Sequence, residues 1–111
     1  MAYDEDLARR IRTLVATRRG LSEKKMFGGL AFLVGGNMAV AASGQGGILV
    51  RVGSERSDQL VATTAASVAV MRDRPMPGWL RVDADDLRTA RQLKKWVDLG
   101  VDFAQSLPAK G

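Results

Sequence analysis

The 111-residue sequence contains no cysteine and no histidine. Without cysteine there is no disulfide scaffold, no thiolate nucleophile and no sulfur ligand for a metal. Without histidine the commonest general base, the usual zinc ligand and the side chain that titrates near neutral pH are missing as well. Catalysis would have to rest on carboxylates, lysine, arginine, serine, threonine or the single tyrosine, Tyr3. No serine–base–acid set can be assembled, and no enzymatic activity is expected. The acidic cluster Asp83, Asp85 and Asp86 lacks the glycine turn and spaced oxygen ligands of a calcium loop, so it reads as helix capping. No metal and no cofactor is expected. No apolar run approaches the ~20 residues that span a bilayer, which argues against a membrane partner. The sequence opens on Asp4, Glu5 and Asp6 rather than on a basic stretch and an apolar run, so a cytoplasmic location is expected.

The remaining composition is that of a folded chain, with 46% hydrophobic residues. The length suits a single domain, 1–111, large enough to bury a core without staples. The net charge is +5, from 17 bases and 12 acids. The two signs are interspersed, and the longest basic runs are pairs. A nucleic-acid footprint needs clustering on one face, so the charge alone makes nucleic acid an alternative partner rather than the leading one.

Along the chain, Leu7, Ile11, Leu14 and Val15 recur at helical spacing and predict an amphipathic helix over 4–19, closed by Gly20. Met26 to Val34 reads as a strand interrupted by Gly28-Gly29. Gly35-Gly36 is a two-residue hairpin signal, followed by strands over 37–42 and 48–52. Ser54 is the expected N-cap of a helix over 55–62. Ser67 to Arg72 reads as a strand, 73–78 as a turn whose prolines forbid a central strand, and 79–82 as a further strand. Thr89 and Gln92 form a capping-box pattern, and Leu93, Trp96, Val97, Gly100, Val101, Ala104 and Leu107 trace the face of a last helix. The order α-β-β-β-α-β-β-α predicts an α+β two-layer sandwich with an antiparallel sheet and helices on one face.

The candidate contact surface comprises Lys24, Lys25, Gly28, Gly29, Arg51, Arg72 and Arg74. The lysines suit either a guarded strand edge or one wall of a partner-binding surface. The glycines suit a bulge or a close backbone approach; they match neither a phosphate loop nor a dinucleotide turn. The arginines, together with Arg81, lie on or beside strands and would form a basic patch if those strands are neighbours. Trp79 and Trp96 read as core or half-buried anchors. Met26, Met38, Met71 and Met76 suit ordinary core packing or an adaptable apolar groove.

Lys24-Lys25-Met26-Phe27-Gly28-Gly29-Leu30-Ala31-Phe32 resembles the signature of the TfoX N-terminal domain family. Gly36-Asn37-Met38, Leu49-Val50-Arg51-Val52-Gly53, Arg74-Pro75-Met76-Pro77-Gly78-Trp79, Leu93-Lys94-Lys95-Trp96-Val97 and Ser106-Leu107-Pro108 fit the same pattern in order, from about Asp4 to Pro108. The resemblance implies a fold like that of type III secretion chaperones. It also implies a non-enzymatic regulatory role, since the best-known members, TfoX or Sxy, are positive regulators of competence genes. Longer members carry a second, helical domain, so the resemblance implies a stand-alone N-terminal-domain protein. It defines no catalytic residues. Regulation through a protein partner is therefore expected, with a homodimer also open; the alternative is a nucleic-acid or nucleotide-binding domain that uses a basic sheet face.

Overall fold

The computed structural model describes residues 3–26, 28–71 and 73–108, with the side chain of Met71 excepted. Helix α1 (Glu5–Val15) is capped by the Asp4 carboxylate, which accepts from the N–H groups of Asp6 and Leu7 at 2.9 and 3.1 Å. Its buried stripe is Leu7, Ala8, Ile11 and Val15. The helix ends four residues before Arg19. Beyond Val15 the chain turns, and Arg18 reaches across to Asp98 and Gln105 of the last helix.

Six strands follow the expected α+β frame: β1 (Leu21–Met26), β2 (Gly29–Val34), β3 (Asn37–Ala42), β4 (Ile48–Arg51), β5 (Ser67–Met71) and β6 (Arg74–Val82). They form one sheet in the order β1-β2-β3-β4-β6-β5, with every neighbouring pair antiparallel. Helix α2 (Ser54–Thr63) lies between β4 and β5 in sequence, and α3 (Ala90–Ser106) closes the chain. The Thr89–Gln92 capping box of α3 is formed as expected.

Three local expectations are corrected. The segment 26–34 is not one interrupted strand. Met26 pairs with Gly29, so the chain reverses between them, and β1 is a sixth strand that the apolar pattern did not reveal. Ser54 is not the N-cap of α2. Gly53 holds that position at φ 85°, and no side chain caps the helix. The segment 74–78 belongs to β6 despite Pro75 and Pro77. Arg74 and Pro75 pair with β5, and pairing with β4 begins only at Trp79. Proline is tolerated where one side of a strand has no ladder to complete.

The three helices share one face of the sheet. Helix α3 packs on β2, β3 and β4, α2 on β5 and β6, and α1 on α3 and β3. The main core collects Phe32, Val40, Ile48, Val50, Leu80 and Val82 from the sheet and Ile11, Leu93, Val97 and Val101 from the helices. Helix α3 reaches the sheet at Gly100, where a Cβ would lie 2.4 Å from the carbonyl oxygen of Ala39 and 2.8 Å from Val50 Cγ2.

Candidate functional site: a helix-free apolar sheet face

The side chains of a strand alternate between the two faces of its sheet. On β1 the sides are marked by an ion pair with α1. Arg12 donates two hydrogen bonds to the Glu23 carboxylate, at 2.7 and 2.8 Å, which places Glu23 toward the helices. These hydrogen bonds hold the Glu23 carboxyl below the usual carboxylate range and raise the Arg12 guanidinium. Ser22, Lys24 and Met26 consequently point to the opposite side.

The register carries that side across the sheet. Lys24 stands opposite Ala31, Ala31 opposite Ala41, Ala41 opposite Leu49, Leu49 opposite Arg81, and Arg81 opposite Ser67. A second row contains Leu33 opposite Met38, and Arg51 opposite Trp79. Together these rows build an apolar cluster separate from the main core. Ala31, Met38 and Ala41 are 0, 5 and 3% exposed, and Met26, Leu33, Leu49 and Trp79 pack around them half-buried. Among the described residues no helix residue belongs to this cluster. Its floor consists of two alanines, and its walls are larger side chains.

Cations frame the strip. Lys24 lies at the β1 end. Arg51 lies in the second row at the end of β4, its guanidinium 5.3 Å from the Trp79 ring centre and 5.4 Å from that of Phe103 on α3, so it bridges this face and the helix layer. Such stacking holds an arginine in place without neutralising it. Arg81 has a structural task. It donates to Ser43 Oγ at 3.2 Å and to the carbonyl oxygens of Gln45 and Gly46 at 3.1 and 2.9 Å, closing the β3–β4 turn. Asp83 stands 3.8 Å from it. Among the described residues no carboxylate pairs with Lys24 or Arg51.

The structure therefore divides the expected contact residues. Lys24 and Arg51 share the helix-free face. Lys25 points to the helix side of the edge strand, opposite Leu30. Arg74 lies at the start of β6 beside β5, away from the β1 hairpin. Arg72 lies outside the described residues. Gly28 and Gly29 serve the backbone. Gly28 takes φ 73° in the β1–β2 turn, and a Cβ at Gly29 would lie 2.1 Å from the carbonyl oxygen of Ala42. Sequence reasoning missed Leu33, Ala41 and Leu49. Their signal is the failure of β2 and β3 to alternate: almost every residue of both strands is buried.

A cleft of about 530 Å³ lies on the helix side, between the start of α2 and α3, lined by Val52, Ser54, Arg56, Leu99, Asp102 and Phe103. Among the described residues no group of histidine, cysteine or carboxylate side chains could hold a metal ion. No helix of the described residues is long and apolar enough to cross a membrane. What the helix-free face offers is apolar contact and positive charge.

The architecture defines a two-layer α+β domain with one sheet face covered by helices and one left without them. The chain belongs to the TfoX N-terminal domain family, whose family model matches residues 13–104. No curated protein and no solved structure matches it significantly.

Proposed function

We propose that this chain is a non-enzymatic, cytoplasmic regulatory domain that acts through protein contacts made on the helix-free face of its sheet. One observation carries this reading: a second apolar cluster on the side of the sheet away from the helices. An antiparallel sheet with one solvated face shows apolar and polar residues in alternation. Leu30-Ala31-Phe32-Leu33-Val34 and Met38-Ala39-Val40-Ala41-Ala42 do not alternate. They have the composition of strands covered on both sides, yet helices cover one side only. A regulatory role fits the family, whose best-known members control competence genes.

The test is position-specific cross-linking in the host cell. A photoreactive residue at position 33, on the helix-free face, is expected to yield discrete protein adducts. The same residue at position 91, exposed on α3, is expected to yield none. Adducts from neither position, or equally from both, would refute the proposal. Nucleic-acid binding is the second reading, favoured by Lys24 and Arg51. It predicts low-salt binding of DNA or RNA that weakens steeply as salt rises.

A further inference from the structure

We infer that the occupant of the helix-free face is an acidic amphipathic helix presented by a partner protein. This inference rests on the contact role proposed above and specifies the partner's chemistry.

The shape of the strip favours a helix. Its first row runs from Lys24 on β1 to Arg81 on β6, across five adjacent strands. At about 4.8 Å between strands this is roughly 19 Å. The strip is two residue rows wide, with the Leu33–Met38 and Arg51–Trp79 pairs forming the second row. A long, narrow strip perpendicular to the strands matches about 13 residues of α-helix at 1.5 Å per residue. Ala31 and Ala41 are already hidden by their neighbours, so a partner helix would rest on the half-buried Met26, Leu33, Leu49 and Trp79. Helix α3 already packs across β2, β3 and β4 on the opposite side. A partner helix would supply the layer that this side lacks.

The charge selects the partner. Lys24 stands at the β1 end of the strip and Arg51 in its second row, at the end of β4, neither paired with a carboxylate among the described residues. Glu23, the neighbouring acid on β1, faces the other way and is held by Arg12. Asp83 lies beside Arg81 at the rim. Complementarity therefore calls for an apolar stripe flanked by Asp or Glu. A second copy offering the same face would bring the same cations, Lys24 and Arg51, rather than the carboxylates that complement them. Among the described residues of this cluster a single-stranded nucleic acid would find one aromatic ring, Trp79, where stacking platforms use several.

Three labelled synthetic peptides of about 16 residues test the inference by fluorescence anisotropy. One carries a leucine stripe flanked by glutamates, the second the same stripe flanked by lysines, and the third a scrambled order of the first. The glutamate peptide is expected to bind, with the lysine and scrambled peptides at least about tenfold weaker. Lys24→Glu and Arg51→Glu are expected to weaken the glutamate peptide by a similar factor and to strengthen the lysine peptide. Lys24 is exposed on an edge strand, so its variant is expected to remain folded. Equal binding of the glutamate and lysine peptides, both lost in Leu49→Glu, would overturn the acidic partner while leaving the contact face intact. No peptide binding alongside protein adducts from position 33 would overturn the helix but not the contact role. Neither binding nor adducts would overturn both. Sedimentation showing a dimer that Leu49→Glu dissociates would assign the face to a second copy and overturn the inference.

Discussion

On one face of the sheet, Phe32, Ile48, Leu80 and Val82 are fully buried beneath three helices. On the other, Ala31, Met38 and Ala41 are buried without any helix, hidden by neighbours of the same sheet. Both faces are apolar at their centre, but their energetics differ. A residue under α3 loses contacts on all sides when truncated, whereas one on the opposite face loses only its sheet neighbours. Consecutive residues of one strand therefore do different work. Ile48 belongs to the core and Leu49 to the strip. The difference separates what the helices pack against from what they leave uncovered.

Truncating that adjacent pair gives the largest contrast. Ile48→Ala is expected to destabilise by about 2–5 kcal/mol and Leu49→Ala by about 1 kcal/mol, both read from urea unfolding. Equal losses would erase the distinction between the faces. The next effect lies at the tightest contact between helix and sheet. Gly100→Ala forces a Cβ against the Ala39 carbonyl and Val50. It is expected to cost about 1–3 kcal/mol and to lower the melting temperature. An unchanged melting temperature would mean that α3 can move off the sheet freely.

Arg51→Ala removes the guanidinium stacked on Trp79 and Phe103 and is expected to cost about 0.5–1 kcal/mol. Glu23→Gln is the smallest perturbation. The folded state holds the Glu23 carboxyl below its ordinary range, mainly through the hydrogen bonds from Arg12. The resulting stability is present above the ordinary carboxylate pKa and is lost as pH falls through the lowered folded value. The variant should thus unfold slightly more easily than the parent at neutral pH and match it in acid. The gap should shrink with added salt, because the pair is partly solvent-exposed. A gap that persisted in acid would assign the effect to packing instead of charge.

Much of the fold was legible wherever one periodicity dominated. The stripe Leu7, Ile11 and Val15 located α1, Gly35-Gly36 located the hairpin before β3, and Thr89 with Gln92 located the start of α3. Strand β1 was not legible, because Leu21-Ser22-Glu23-Lys24-Lys25-Met26 forms a strand edge exposed on both sides and has no apolar face to signal it. The start of β6 was hidden by Pro75 and Pro77, whose tolerance depends on where the pairing with β4 ends. The site was half legible. Lys24 and Arg51 were read as candidates for a contact surface, and their placement on one side of the sheet depends on strand order and register, which no local pattern contains. The strip itself was masked by β2 and β3, whose apolar residues on both faces read as core alone.

The most direct test of the central claim is Leu49→Glu, assayed in parallel for stability and for cross-linking from position 33. A contact face predicts a domain that unfolds within about 1–2 kcal/mol of the parent and no longer yields protein adducts. A variant that fails to fold as Ile48→Glu would, or that folds and cross-links as the parent does, would contradict it.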